Sequence, residues 1–318
     1  YFPFLAKQKP GYPECDILTN VFAILSAKNL SEATASIVMD IADDLLNLPD
    51  FEPTETLLSL PVTGCVYTES ADESITMGGQ LILPHVPAIL QYLSKTTISA
   101  EKVKKKKNRA QVSKELGILS KISKFMRDKE QSSLLITLLL PFLHRGNIAQ
   151  DTEVDILVTV QNLLKHCLEP TSFLKPLAKL FSVIKNKLSR QLLCTVFQTL
   201  SDFESGLKYI TDVVKLNAFD QRHLDDINFD VRFSTFQTIT SYIKEMQTVD
   251  VNYLVPVMHN CFYNMELGDM SLSDNASMCL MSIIKKLAAL NVTEKEYREI
   301  IHRSLLEKLR KGLKSQTE

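Results

Sequence analysis

The densest concentration of reactive charge is a run of cations. Lys102, Lys104, Lys105, Lys106, Lys107 and Arg109 stand within eight residues. Such a run can neutralise phosphates by displacing their counterions, act as a nuclear import signal, or keep a linker solvated. No aromatic residue is interleaved with it, so it offers no platform on which bases could stack. Any contact with RNA would be electrostatic and indifferent to sequence.

Other candidate chemistry dissolves on inspection. His166 beside Cys167, and His259 near Cys261, bring possible metal ligands together. Neighbours one or two apart on a helix point in different directions, however, and no further Cys or His completes a tetrahedral set. The six Cys include no CxxC and fall mostly in apolar stripes, so they read as buried thiols of a reducing compartment. The acids Asp43-Asp44, Asp225-Asp226 and Asp230 read as helix caps and solvated charge, since no pocket is indicated that would split their pKa values. There is no phosphate-cradling glycine loop, GxSxG, HExxH or kinase signature. Gly78-Gly79 reads as a linker between helices. The expectation is a protein that is not an enzyme, with no catalytic residue, cofactor, metal or small-molecule substrate. No apolar run reaches the ~18–20 residues that cross a bilayer, so no membrane partner is expected.

The elements carrying these residues read almost throughout as helices with a 3.6-residue period. Phe173, Leu174, Leu177, Leu180, Phe181 and Ile184 share one face, as do Leu254, Val257, Met258, Cys261, Phe262 and Met265, and Ala276, Cys279, Leu280, Ile283, Ile284 and Leu287. With Gly and Pro scarce and Trp absent, the composition favours helices over turn-rich sandwiches. The helices fall into pairs: 112–126 with 131–143, 152–166 with 171–185, 188–203 with 205–216, 230–245 with 251–265, and 273–290 with 294–313. First helices recur about every forty residues, the period of HEAT and armadillo arrays. The fold class predicted is therefore all-α, an α-solenoid of HEAT/armadillo-like antiparallel helix pairs. Pro141, Pro176 and Pro256 recur near the starts of second helices, as do Pro84 and Pro87 earlier, and a first turn tolerates Pro.

Residues 1–95 read as less regular helical repeats, with helices at 16–27, 31–48 and 51–60. Ser31 is the expected N-cap of the second. An irregular insertion is placed at about 61–79, a basic linker at 96–111, and five helix pairs over 112–318. The chain opens on Tyr1 rather than Met and is expected to be a piece of a longer solenoid. Charge is blocked along it: the first hundred residues are acidic and free of Arg, the next thirty basic, and 201–270 acidic again. Blocks of this kind suit different partners at different places.

Asn228-Phe229-Asp230-Val231-Arg232-Phe233, followed by Phe236 and Ile239, fits the HEAT pattern in which Asp and Val-Arg open a first helix. In that pattern Arg commonly pairs with an acid, often from a neighbouring repeat, and Asp230 is a natural cap. Asp230, Val231, Arg232, Phe233 and Phe236 are expected to order the stack. The wider segments Leu216–Met246, Val251–Leu280 and Glu294–Gln316 resemble the down-regulated-in-metastasis family, also described as small subunit processome component 20 homologs. The resemblance covers most of the chain and is strongest from about Leu188 onward. It implies a nuclear, nucleolar scaffold of the early pre-ribosome, supporting small-subunit rRNA processing and ribosome biogenesis. The implied partners are pre-ribosomal RNA, processing-guide nucleolar RNA and other processome proteins. The alternative is a HEAT-repeat adaptor of transport or signalling type, which would bind acidic or helical protein partners and have no RNA role.

Overall fold

The computed structural model describes residues 13–47, 77–98, 109–145, 148–203, 209–220, 226–290, 302 and 304–310. The expected helix at 51–60, most of the insertion at 61–79 and the lysines at 102–107 lie outside them, as does the basis for a linker at 96–111.

Helices run in the order α1 Pro13–Ala23, α2 Glu32–Leu46, α3 Met77–Ile82, α4 Val86–Thr96, α5 Arg109–Ser123, α6 Lys129–His144 and α7 Gln150–Leu164. They continue as α8 Leu174–Leu180, α9 Lys187–Ser201, α10 Ile210–Leu216, α11 Phe229–Glu245, α12 Val251–Met265 and α13 Met270–Ala289. A further helical segment covers 304–310. Among the described residues the one β interaction is an isolated antiparallel bridge between Phe219 and Ile227. The fold is all-α and solenoid-like.

Side-chain caps set many of the boundaries. Ser31 Oγ accepts from Thr34 N at 3.0 Å to open α2, and Asp128 accepts from Gln131 N at 2.7 Å to open α6. Asp250 and Asp269 do the same for α12 and α13. Each cap satisfies an amide that a helix start leaves without an intrahelical partner. The cap of α11 is Asn228, whose Oδ1 accepts from Val231 N at 3.1 Å. Asp230 is instead exposed in the first turn, where the helix dipole favours its charge. Asp269 likewise starts α13 at Met270, three residues ahead of the expected Ser273. Pro141 departs from expectation too, lying near the C-terminal end of α6. Thr137, whose carbonyl loses its amide partner there, is exposed, so water can serve that carbonyl.

The chain divides into two compact units, residues 1–170 and 171–318. In the first, α5 lies between α2 and α7, α6 packs on α7, and α4 packs on α1 and the short turn Ile24–Ser26. Leu116, Leu119 and Ile122 of α5 and Ile156, Leu157, Val160 and Leu163 of α7 form its core. Polar rungs fix the register of α5 on α7: Ser113 Oγ and Thr152 Oγ1 stand 2.8 Å apart, and Asn162 Nδ2 donates to Ser123 Oγ at 2.9 Å. Gly117 permits the close approach, because a Cβ there would lie 3.3 Å from the Asp155 carboxylate. Lys114 with Asp40, and Lys121 with Asp43 and Asn47, join α5 to α2 on the solvent side.

In the second unit, α11 and α13 lie side by side, α13 also packs on α12, and α12 packs on α8 and α10. From Val251 to Asn264 every residue of α12 except Asn252 is buried. A helix enclosed on all sides needs an apolar circumference and partners for its few polar groups. Tyr253, Leu254, Val257, Met258, Cys261 and Phe262 supply the first, and Asn260 and Asn264 require the second. Gly268, at φ 81°, turns the chain from α12 into α13 in the left-handed region that glycine adopts without strain.

Candidate functional site

The polar side chains of the second unit converge inward rather than onto a cleft. Arg190 and Arg232 are both wholly buried. Each follows its helix-capping asparagine by four residues, Asn186 in α9 and Asn228 in α11, so the two stand in equivalent places one repeat apart. The long guanidinium arm reaches from the first turn into the layer behind, where preceding helices end and leave carbonyls free.

Arg190 Nη1 donates to Phe181 O at 2.7 Å and Ile184 O at 2.6 Å. Its Nε donates to Asn217 Oδ1 at 3.0 Å, and its Nη2 reaches Asn217 Oδ1 and, at 3.4 Å, Asn260 Oδ1. Arg232 Nε donates to Ala218 O at 2.9 Å and Nη1 to Asn264 Oδ1 at 3.0 Å. The asparagines are themselves anchored one helical turn back: Asn217 Nδ2 donates to Val213 O, Asn260 Nδ2 to Pro256 O and Asn264 Nδ2 to Asn260 O. Asn217 Nδ2 also donates to Asn260 Oδ1 at 2.8 Å, which closes the network. The Arg190 guanidinium lies 3.2 Å from the centroid of the Tyr263 ring, and that of Arg232 lies 5.0 Å from Phe219.

The acid expected opposite Arg232 is therefore replaced, in its recorded hydrogen bonds, by an amide oxygen and a main-chain carbonyl. Helix-end carbonyls already carry partial negative charge, so they can solvate a guanidinium without a second buried ion. Burial pulls the Arg190 pKa down to about 10, which leaves the group cationic at neutral pH, and burial lowers that of Arg232 too. Cys194 lies near both guanidinium groups, yet burial dominates and pushes its thiol up to about 12. The Cys261 and Cys279 thiols hydrogen-bond to each other, and Ser182 Oγ lies 3.1 Å from His259 Nδ1. Among the described residues no three His, Cys, Asp or Glu side chains gather as metal ligands. No described helix is long and apolar enough to cross a membrane.

The first unit buries the opposite charge. Glu115 is wholly buried, and its carboxylate accepts from Tyr92 OH at 3.0 Å, from Gln111 Nε2 at 3.0 Å and from Thr97 Oγ1. Ser36 Oγ of α2 donates in turn to Gln111 Oε1 at 3.0 Å. Burial, followed by the nearby Glu115 charge, raises the Tyr92 pKa.

Of the residues singled out from sequence, Arg232 and Phe236 point into the core, and Val231 and Phe233 are half-buried beneath the surface of α11. Phe233 stacks on Phe229 with centroids 5.7 Å apart. Arg109 opens α5 as an exposed residue, and Lys102, Lys104, Lys105, Lys106 and Lys107 lie outside the described residues. Arg190, Asn217, Asn260, Asn264 and Glu115 were missed. One signal was present: Asn-x-x-x-Arg occurs at 186–190 and again at 228–232, close to the forty-residue period.

A family model described as U3 small nucleolar RNA-associated protein 20, N-terminal, matches residues 1–317. The chain belongs to this family. Membership in the U3 small nucleolar RNA-associated protein 20 N-terminal family implies a role in the small-subunit processome and in ribosome biogenesis. It is consistent with a nucleolar place and with association with other processome proteins and pre-ribosomal RNA.

Proposed function

We propose that the chain is a non-catalytic scaffold segment that holds protein and RNA partners during small-subunit rRNA processing. The family match along residues 1–317 carries this reading. The geometry is in keeping with it: the strongest donors of the second unit, Arg190 and Arg232, are committed to the chain's own carbonyls and amides. Asp230, Val231, Arg232, Phe233 and Phe236 order a HEAT-like stack of helices and touch no ligand. The run Lys102, Lys104, Lys105, Lys106, Lys107 and Arg109 contacts phosphates of pre-ribosomal RNA or of a processing-guide nucleolar RNA.

UV cross-linking of the tagged protein in cells, with sequencing of the attached RNA, tests the reading. Strong enrichment of pre-ribosomal and guide RNA is expected. RNA at background level would leave a scaffold of protein contacts alone and bring the adaptor reading forward. In solution, changing Lys104, Lys105, Lys106 and Lys107 together to Ala should reduce the slope of log affinity against log salt by about 3, at ~0.7 per phosphate contact.

A further inference from the structure

We infer that Glu115 is a positioning residue for polyanion binding: its buried carboxylate ties the end of α4 to the first turns of α5 and so fixes the base from which the intervening cations are presented. The inference rests on the reading that those cations meet RNA phosphates.

Thr97 caps the C-terminal end of α4, and Ile98 after it is turned into the core, its N–H donating to Leu93 O at 2.9 Å. The cationic stretch begins just beyond. The chain re-enters the described structure at Arg109, and Gln111 and Glu115 follow within two turns of α5. Thr97 before the stretch and Gln111 after it both donate to the one carboxylate. Tyr92 adds a third donor from α4, and Ser36 holds Gln111 from α2. Both ends of residues 98–110 are thus pinned at a single buried point. Charges held on a base already fixed lose less freedom on binding than charges on a loose strand.

Simple electrostatics gives the opposite expectation. A carboxylate beside a phosphate-binding run repels the ligand, so its removal should tighten binding. If Glu115 acts by position, Glu115→Gln weakens binding even though it deletes a negative charge. Gln also lacks the second acceptor oxygen that Thr97 needs. Thr97→Val removes the same hydrogen bond and leaves the carboxylate in place.

The experiment uses the full chain and an unstructured single-stranded RNA oligonucleotide, titrated by fluorescence anisotropy over a range of KCl, with limited tryptic digestion alongside. E115Q and T97V should each weaken binding about 3–10-fold while leaving the salt slope unchanged, because the number of phosphates met is the same. Each should also speed cleavage within 102–109 about tenfold over cleavage elsewhere in residues 1–170. Tighter or unchanged binding in E115Q overturns the positioning role, as does cleavage that rises evenly through the unit. If the four-lysine variant keeps the wild-type slope, the RNA reading fails and the inference falls with it. The tryptic pattern then shows separately whether Glu115 pins the segment ends.

Discussion

The two units bury charge in opposite ways. Residues 1–170 sink a carboxylate, Glu115, among hydroxyl and amide donors, whereas residues 171–318 sink two guanidinium groups among carbonyl and amide acceptors. A carboxylate presents few lone pairs over a small area, so it can fasten only elements that come within one residue's reach, here α4 and α5. A guanidinium fork presents five donors in a plane, and Arg190 alone collects the ends of α8 and α10 and the middle of α12. The contrast is between a local clasp and a hub, and it ranks what each substitution should cost.

Arg190→Ala is the sharpest way to break the hub. It strands the carbonyls of Phe181 and Ile184 and the amides of Asn217 and Asn260, and should cost about 5 kcal/mol in urea unfolding. A loss under about 1 kcal/mol would mean that these acceptors find other partners and that no hub exists. Phe236→Ala, in the same unit but apart from the network, should cost about 4 kcal/mol through the cavity it opens, since the ring is wholly buried. The clasp should be weaker: Glu115→Ala leaves three donors without an acceptor and should cost about 2–3 kcal/mol, confined to the first unit's transition. A loss larger than that of Arg190→Ala would reverse the ranking. Single caps should matter least and equally in the two units, with Ser31→Ala and Asp250→Ala each costing about 1 kcal/mol. A kinetic comparison adds finer detail. Burial holds the Cys167 thiol at about 11 and Cys194 at about 12, so iodoacetamide at pH 8 should modify Cys167 about tenfold faster, as read by mass spectrometry. Equal rates would point to a shared opening event rather than to thiolate supply.

Helix positions were legible because apolar residues repeat along them, and the stripe through Ala276, Cys279 and Ile283 is indeed buried. The inward face of Phe236 was legible for the same reason. Capping was partly so: Ser31 stands directly before its helix, whereas Asn228 and Asp230 both compete to start α11 and only the geometry of Val231 N decides. The arginine hub was hidden by hydrophilicity. Arg190 and the three asparagines look like surface residues when read singly, because their partners are main-chain carbonyls that no sequence position advertises. Glu115 was hidden likewise, since Tyr92 and Thr97 meet it across a stretch of polar sequence. The expected acid partner for Arg232 was a habit of the motif. Here helix ends occupy the place where that acid would stand.

The complete enclosure of α12 bears on how this unit comes apart. A one-dimensional stack ordinarily frays from its ends, one repeat at a time. Here α8, α10 and α13 all lie on one central helix, and the segment 304–310 reaches it as well through Lys308 above the Phe262 ring. Peeling away any one of them wets the same helix. The amide protons of residues 254–264 should therefore exchange last and together, with the protection of global unfolding rather than of a local breath. To partners that pull on it, the segment would then act as a rigid block that yields all at once.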